Sequence, residues 1–456
     1  MFKGNREQRG WYMFDWAVSA YSTTVLAVFL GPYLTSIANA AAAASNPLCN
    51  PDAVDAAMNC FVYPLGEGIP IAAGAFYAYV TSLSVLLQVF FLPILGAVAD
   101  YTTLKRRMLG IFAYVATVAV ILMFFLEGEN YLYGGVLYLI ANLCFGASMV
   151  FYNAFLPEIA TPEERDMVSS RGFAMGYLGG GLLLVLNLVI FTQNDMFGID
   201  GGTAVRICLA SAGIWMAAFI PITLRRLRAG VAARELQAGQ TVFNAGFSQL
   251  METIRNAKYY PQTLLFLAAY LIYNDGVQTV IAMSSTFGTE ELGMESTTLI
   301  ITILLVQFVA WIGAMSFGAL AGRIGARQAI MISLVIWTAL TVVTFFIAKG
   351  SVVQFLALGV GIAVVLGGTQ ALSRSLFAQM IPRGKEAEYY SLYEVSERGT
   401  SWIGPLVFGL AYQFTGSYRV ALLMIAAFFI VGLLLLVFVN VRRAITEAGN
   451  EAPAVV

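Results

Sequence analysis

The chain has 456 residues, of which 59% are hydrophobic and 11% are charged, and its mean hydropathy is +0.78. A soluble domain carries about 25% charged residues, so this composition excludes an ordinary water-soluble globule. The net charge of −1 and the lack of long basic runs exclude a disordered chain and a nucleic-acid-binding protein. The sequence therefore indicates a polytopic membrane protein.

Hydropathy predicts twelve transmembrane segments, six on either side of a polar stretch. Each must be helical, because lipid offers no hydrogen-bond partner to an exposed backbone. The segments lie near residues 14–38, 71–98, 108–126, 131–157, 171–193, 203–224, 261–287, 297–321, 328–347, 352–380, 391–415 and 418–440. The expected fold is an all-α polytopic membrane protein with twelve transmembrane helices in two six-helix bundles.

The polar stretch sets the expected domain organisation. The predicted parts are an N-terminal bundle (1–224), a cytoplasmic linker (225–260), a C-terminal bundle (261–441) and a cytoplasmic tail (442–456). Apolar residues recur at helical spacing within the linker, namely Phe243, Phe247, Leu250, Met251 and Ile254. They predict an amphipathic helix on the membrane surface, with a regulatory segment as the alternative.

Basic residues indicate the orientation of the chain. With the N-terminus inside, most of the 25 Lys and Arg residues lie on the cytoplasmic side, whereas external loops carry acids such as Glu127 and Glu290. The positive-inside rule then predicts that both termini are cytoplasmic.

Histidine is absent and the four cysteines do not form a Cys-x-x-Cys pair, so the sequence predicts neither a metal site nor a cofactor. Cys49 and Cys60 lie in the first external loop, where oxidising conditions permit a disulfide. We expect them to pair, and two free thiols are the alternative.

The two halves show signs of internal duplication. Gly318 and Gly368 follow Gly96 and Gly146 by the same 222 residues, on helices of equal rank. Gly96 and Gly318 both precede basic residues at the end of a predicted helix. This agreement favours parallel repeats.

The segment Gly96-Ala-Val-Ala-Asp100 and the basic residues after it resemble the loop motif of the major facilitator superfamily. Five further motifs occur in order and together resemble the vacuolar, autophagy-related amino-acid effluxer family and its bacterial relatives. They are Gly10-Trp-Tyr-Met-Phe-Asp15-Trp-Ala-Val-Ser-Ala-Tyr21, Asn153-Ala-Phe-Leu-Pro157-Glu158, Gly176-Tyr-Leu-Gly-Gly180, Tyr273-Asn-Asp275-Gly-Val-Gln278-Thr279 and Gly367-Gly-Thr-Gln370-Ala-Leu-Ser-Arg374-Ser375.

This resemblance implies the major facilitator fold and secondary transport of amino acids or similar small solutes. It also implies a multi-pass protein of the plasma membrane or the bacterial inner membrane. The expected partners are a small-molecule solute, membrane lipid and, if transport is coupled, protons. We expect a monomer that binds no nucleic acid.

The loop motif further suggests a gate at the cytoplasmic end, where an acid near a helix end pairs with basic groups across the bundle interface. An ordinary basic loop is the alternative. The gating candidates are Gly96, Asp100, Arg106, Arg107, Arg323, Arg171, Glu394 and Arg398.

Ionisable side chains within membrane helices are costly and need a partner or a function. Asp275 lies near the middle of the seventh segment, with Gln278 on the same helix face. Asp15 shares a face with Ser19 in the first segment, and the two match Asp275 and Thr279. For both aspartates, solute or proton binding competes with a structural or gating role.

Gln370 and Arg374 stand one turn apart on the tenth segment. Arginine stays charged, so Arg374 requires either a solute carboxylate or a fixed salt bridge to a neighbouring helix. Glu397 is a reserve protonation candidate. Tyr21 and Tyr273 are further candidates because each lies within two turns of an aspartate.

A secondary transporter accounts for the duplication, the loop motif and the intramembrane charges. A membrane enzyme would need a catalytic constellation or nucleotide-binding loop, which the sequence lacks. Open alternatives are a facilitator, a transporter of lipid-like cargo, and a transport-inactive receptor or scaffold. The coupling ion and the direction of transport stay open.

The orientation can be tested by cysteine-accessibility labelling. A membrane-impermeant reagent should label single cysteines placed at Gly128 and Gly350 from outside the cell, and at Gly230 only after the membrane is opened. Labelling of residue 230 in intact cells would contradict the orientation.

Overall fold

A computed structural model describes residues 4–46, 48–49, 60–64, 66, 70–73, 76–100, 104–228, 255, 259–386, 389–390, 392–393, 403–404, 407–408, 411 and 417–453. This part contains eleven helices that are long and apolar enough to cross a membrane. The prediction of an all-α polytopic fold is therefore confirmed. Most of the predicted segment 391–415 lies outside the described residues, as does the amphipathic helix of the linker.

Twelve helices are labelled here in chain order. The first six are α1 (Arg6–Ser45), α2 (Phe76–Asp100), α3 (Lys105–Leu122), α4 (Tyr131–Ala154), α5 (Arg165–Thr192) and α6 (Gly201–Arg226). The others are α7 (Pro261–Thr286), α8 (Ser296–Ile324), α9 (Ala326–Thr344), α10 (Val352–Gln379), α11 (Tyr418–Phe438) and the short α12 (Val441–Glu447).

Helix α1 is longer than the predicted segment 14–38, because polar residues also support helix at its start. The side chain of Asn5 accepts from the backbone N–H of Gln8, and the Gln8 side chain accepts from the N–H of Asn5. This capping box satisfies two backbone donors at the helix N-terminus. Farther along, Tyr21–Phe29 are wound as a π-helix, a form that is often found at functional sites.

The predicted segment 71–98 begins too early. Ile71–Ala72 form strand β2, which pairs antiparallel with strand β1 (Phe61–Val62), and α2 starts only at Phe76. The backbone of Ile71 and Ala72 thus finds its hydrogen bonds in a neighbouring strand. Cys60, which directly precedes β1, forms a disulfide with Cys49.

The helices have two distinct ends. We call the end that contains the Cys49–Cys60 disulfide the disulfide end. The turn at Leu126 lies at the same end, where Tyr33 of α1 donates a hydrogen bond to the Leu126 carbonyl. At the opposite end, the basic end, Arg6 donates to the Arg225 carbonyl and Arg106 to the Leu227 carbonyl. The basic residues predicted to face the cytoplasm therefore gather at one end of the bundle.

Glycines allow close helix approach at matching places in the two halves. A Cβ added to Gly176 of α5 would lie 2.5 Å from the Ser19 hydroxyl and 3.4 Å from the Asp15 carbonyl on α1. A Cβ at Gly404 would likewise meet the Thr279 hydroxyl and the Asp275 carbonyl on α7. The correspondence between Asp15 and Asp275 in the sequence thus has a counterpart in the packing.

Replacing Gly176 tests this packing. We expect Gly176→Ala to lower the unfolding free energy by about 1–3 kcal/mol, because the added methyl group overpacks the α1–α5 contact. Gly201→Ala is the matched control, because nothing lies within 4 Å of a Cβ at that helical position. Thermal unfolding in detergent measures both variants, and equal melting temperatures would contradict the contact.

Candidate functional site

A cavity of about 800 Å³ lies between the two halves of the chain. Helix α10 lines it from Phe355 to Arg374, a distance of about 28 Å at 1.5 Å per residue. Arg374 lies close to the basic end, whereas Phe355 lies close to the disulfide end. The cavity therefore extends from a floor at Arg374 toward the disulfide end.

Two opposite charges mark the floor of the cavity. Among the described lining residues, the charged ones are Asp15 of α1 and Arg374 of α10. Their side chains form a salt bridge, with Oδ2 of Asp15 3.4 Å from an Arg374 nitrogen. Arg374 is 1% exposed and Asp15 is 5% exposed. A buried ion pair thus joins the N-terminal half to the C-terminal half.

Hydrogen bonds from α5 hold the guanidinium in place. Its Nε donates to the Ser169 hydroxyl and a terminal nitrogen donates to the Ser169 carbonyl, both at 3.0 Å. The other terminal nitrogen lies 3.4 Å from the Asn153 side-chain oxygen on α4. Arg374 belongs to the C-terminal half, but its partners come from three helices of the N-terminal half.

Aromatic rings of the N-terminal half complete the surroundings of this cation. The guanidinium carbon lies 4.1 Å from the Phe173 ring centre, 4.6 Å from Trp11 and 5.6 Å from Tyr152. Cation–π attraction contributes about 2 kcal/mol or more at a desolvated site. These rings therefore offset part of the cost of burying the charge.

Asp15 has a second partner at a shorter distance. The Tyr152 hydroxyl donates to Oδ2 of Asp15 at 2.6 Å, the same oxygen that faces Arg374. Trp11 donates to the Tyr152 carbonyl and stacks on its ring. The carboxylate is thus held on the N-terminal side by Tyr152 and receives only a long contact from Arg374.

Below the floor, α5 and α10 are joined by polar contacts that close the basic end. Ser169 donates to the Ala371 carbonyl at 2.7 Å, and Arg165 donates to the Ala378 carbonyl at 3.1 Å. Ser375 donates to the Asp166 carboxylate at 2.6 Å. Helix α8 also approaches α5 closely, since a Cβ at Gly318 would lie 2.5 Å from the Ser170 hydroxyl. Together with Asp15–Arg374, these contacts form what we call the interbundle seam.

The structure brings together five of the solute-binding candidates. Asp15, Ser19, Gln278, Gln370 and Arg374 all line the cavity. Gln370 also accepts a hydrogen bond from the Tyr177 hydroxyl of α5 at 2.8 Å. The structure thus contains the salt bridge to a neighbouring helix that was one of the two expectations for Arg374.

The other candidates lie elsewhere. Asp275, Tyr21 and Tyr273 are buried beside the cavity but do not line it. Tyr273 shares a hydrogen bond with Ser373, and Tyr21 packs on the Phe145 ring. Glu397 lies outside the described residues.

The gating candidates do not form one cluster in the described part of the chain. Gly96 is buried in α2, Arg107 and Arg323 are exposed, and Arg106 contacts Leu227 within its own half. Arg171 interacts with the Tyr12 hydroxyl on α1. The Asp100 side chain and residues Glu394 and Arg398 lie outside the described residues.

Several residues of the seam were missed by the sequence reasoning, namely Asn153, Arg165, Asp166, Ser169, Phe173 and Ser375. Most lie on α5 near its start. Their side chains do not form a sequence pattern that would indicate a functional site. Asn153 and Ser375 each lie inside one of the resemblance motifs, and this was the signal that could have found them. Their role depends on α5 meeting α10.

The rest of the cavity wall is mainly apolar. Its large side chains include Phe145, Met149, Phe173, Tyr270, Trp337, Tyr393 and Leu422. Such a site can hold a small molecule with one polar, charged end at the floor and an apolar part along the wall. Among the described residues, no group of three or more Cys, Asp or Glu side chains could hold a metal ion.

Comparison with known proteins supports the resemblance over almost the whole chain. The family described as "Vacuole effluxer Atg22 like" matches residues 3–449. The MFS-type transporter YxiO of Bacillus subtilis is 27% identical, over 99% of this chain and 100% of its own length. Autophagy-related protein 22-1 of Penicillium rubens is 25% identical, over 97% of this chain and 91% of its own length.

Solved structures share the fold. The major facilitator transporter FucP in its outward conformation superimposes with a TM-score of 0.63 and 14% identity, covering 94% of this chain and 97% of FucP. The human organic anion transporter MFSD10 superimposes with a TM-score of 0.60 and 14% identity, covering 94% of this chain and 99% of MFSD10. The chain therefore belongs to the vacuole effluxer Atg22-like family of the major facilitator superfamily.

Proposed function

We propose that this protein is a secondary transporter that moves a small carboxylate-bearing solute, such as an amino acid, by alternating access. The two moving units are residues 1–224 and 261–441, joined by the linker 225–260, with 442–456 as the tail. The observation that carries the proposal is the cavity between the halves with a buried arginine at its floor.

Arg374 is suited to bind a carboxylate from the cavity. Its two strong hydrogen bonds go to Ser169, whereas its contacts to Asp15 and Asn153 are both 3.4 Å long. Arginine presents its donors in a planar fork that matches a carboxylate. A solute carboxylate can therefore take the place of Asp15, whose oxygen keeps the Tyr152 hydroxyl as a partner.

This exchange would link solute binding to movement of the halves. While Asp15 and Arg374 are paired, the seam holds the basic end closed. A solute that takes Arg374 removes an attraction between the halves, so the state open at the basic end gains relative stability. A ligand shifts such an equilibrium only by its difference in affinity for the two states.

The charge distribution supports the orientation of this cycle. The positive-inside rule assigns the basic end and both termini to the cytoplasm. The conformation seen here would then be closed to the cytoplasm, with its cavity directed outward. One chain supplies the whole cavity and both partners of the buried pair, which favours a monomer as the working unit.

Solute class can be tested by thermal shift on the purified protein. We expect amino acids and related carboxylates to raise the melting temperature, because they bind the native state, and the matching amides to leave it unchanged. In proteoliposomes, the carboxylates should likewise be transported and the matching amides should not. Arg442→Gln is the control variant and should respond as the wild type does, since Arg442 is exposed on α12 and does not line the cavity. Stabilisation by sugars or lipids but not by carboxylates would contradict the proposal.

The charge pair can be tested by a double-mutant cycle. We expect Arg374→Gln to lower the unfolding free energy by about 3–5 kcal/mol, because it leaves the buried Asp15 carboxylate without a cation. Adding Asp15→Asn should recover part of this loss, since the pair is then removed as a whole. Unfolding in detergent measures the unfolding free energy of the wild type, the two single variants and the double variant. Strict additivity of the two substitutions would show that the pair does not act as a unit.

A further inference from the structure

Asp275 is a buried carboxyl group that the solute cavity does not use. It lies on α7, is 2% exposed and does not line the cavity. Its Oδ2 accepts the backbone N–H of Gly404 at 2.8 Å. Its Oδ1 is buried without a hydrogen-bond partner in the described part of the chain.

Among the described residues, no cation pairs with Asp275, whereas Asp15 has one. Asp15 has the Arg374 guanidinium and the Tyr152 hydroxyl within reach. The contact that Asp275 makes in the described chain is with the Gly404 backbone, and its neighbour Gly276 packs against Phe428 and Phe429 of α11.

The titratable and charged groups of the neighbouring elements point elsewhere in the described chain. On α7 itself, Tyr273 bonds to Ser373 of α10, and Tyr270 stacks on Tyr393. On α10, Arg374 is directed to Asp15, and at the start of α11 Arg419 pairs with Glu291 at the disulfide end. The charged residues of the segment 394–398 lie outside the described residues.

An anionic carboxylate in such a place is expensive. Burying an unpaired charge costs far more than one hydrogen bond returns, so a group of this kind stays neutral by binding a proton. The single N–H of Gly404 is not a counter-ion. The neutral carboxylic acid is therefore the form that fits this packing.

The contact with Gly404 connects the charge state to helix packing. Pro405 follows in the sequence and carries no N–H, and it disfavours helical backbone in the residue before it. Gly404 thus lies at a weak point for helix, and its N–H is bonded to a side chain of another helix. Because a bond to a charged acceptor is stronger than one to a neutral acid, proton binding changes the strength of this contact.

The duplication gives a second reason to separate the roles of the two aspartates. Gly176 approaches Ser19 and the Asp15 carbonyl as Gly404 approaches Thr279 and the Asp275 carbonyl. At these equivalent positions, the Asp15 carboxyl faces the cavity and a cation, whereas the Asp275 carboxyl bonds to the Gly404 backbone and does not line the cavity. The same site has thus been kept in both halves with different surroundings.

We infer that Asp275 is a proton-binding site of the transporter, separate from the solute cavity. The carboxylate takes one proton from water to become the neutral acid, which is enclosed while α7 packs against Gly404. The acid returns its proton to water when that contact opens in another state of the cycle. This inference rests on the proposed transport function for its role in coupling, but proton binding itself can be measured without a solute.

Proteoliposomes that contain the full-length protein and a mixture of radiolabelled amino acids test the coupling. For Asp275→Asn we expect accumulation driven by a pH gradient to fall at least tenfold, whereas exchange across the membrane without a gradient persists. Asparagine keeps the acceptor for Gly404 but cannot titrate. Asp195→Asn is the control and should keep both activities, since Asp195 is exposed in the short 3-10 helix Asn194–Phe197. Gradient-driven accumulation that survives Asp275→Asn would overturn the coupling role.

Infrared spectra of the solubilised protein test proton binding without transport. The carbonyl band of protonated carboxylic acids should be present in the wild type and in Asp195→Asn. In Asp275→Asn the intensity of this band should be lower by the contribution of one carboxyl group. If this holds but the wild type moves no amino acid, the solute assignment fails and the proton site stands. A band unchanged by Asp275→Asn overturns the inference. Destabilisation by Asp275→Asn that Arg398→Gln relieves would also overturn it, because it would reveal a structural ion pair.

Discussion

The buried positive charge of Arg374 is the constraint on which the arrangement of the two halves depends. Arginine does not lose its proton in proteins, so this charge must be met in every state of the molecule. Here it is met by a carboxylate, a serine and three aromatic rings, all from the opposite half. Any state in which the halves part at the basic end must supply another partner, either water or an anionic solute.

The rest of the contact between the halves combines close helix packing with polar contacts. In a bilayer no hydrophobic force draws helices together, so association depends on close packing and hydrogen bonds. Gly318 lets α8 approach Ser170, and three polar contacts join α5 to α10. Such an interface closes the basic end in the conformation seen here.

Duplication has given the two halves the same scaffold but different chemistry. The glycine contacts at Gly176 and Gly404 place Asp15 and Asp275 in equivalent positions. Within the described chain, Asp15 has an arginine opposite it and Asp275 does not, since Arg374 reaches across the seam from α10. In the described chain, the two carboxyl groups thus differ in the helices that supply their partners.

The membrane class, the helical fold and the family could be predicted from the sequence, because hydropathy, backbone hydrogen bonding in lipid and ordered motifs are all local properties. It also pointed to Asp15, Gln278, Gln370 and Arg374, since polar groups inside apolar segments stand out. Only the tertiary structure decided that Asp15 pairs with Arg374, that Ser169 and Asn153 hold the guanidinium, and that Asp275 lies outside the cavity. These facts depend on which helix faces pack together. The contacts of Arg374 with Ser169 and Asn153 join residues more than 200 positions apart, and a local sequence pattern does not indicate such a pairing.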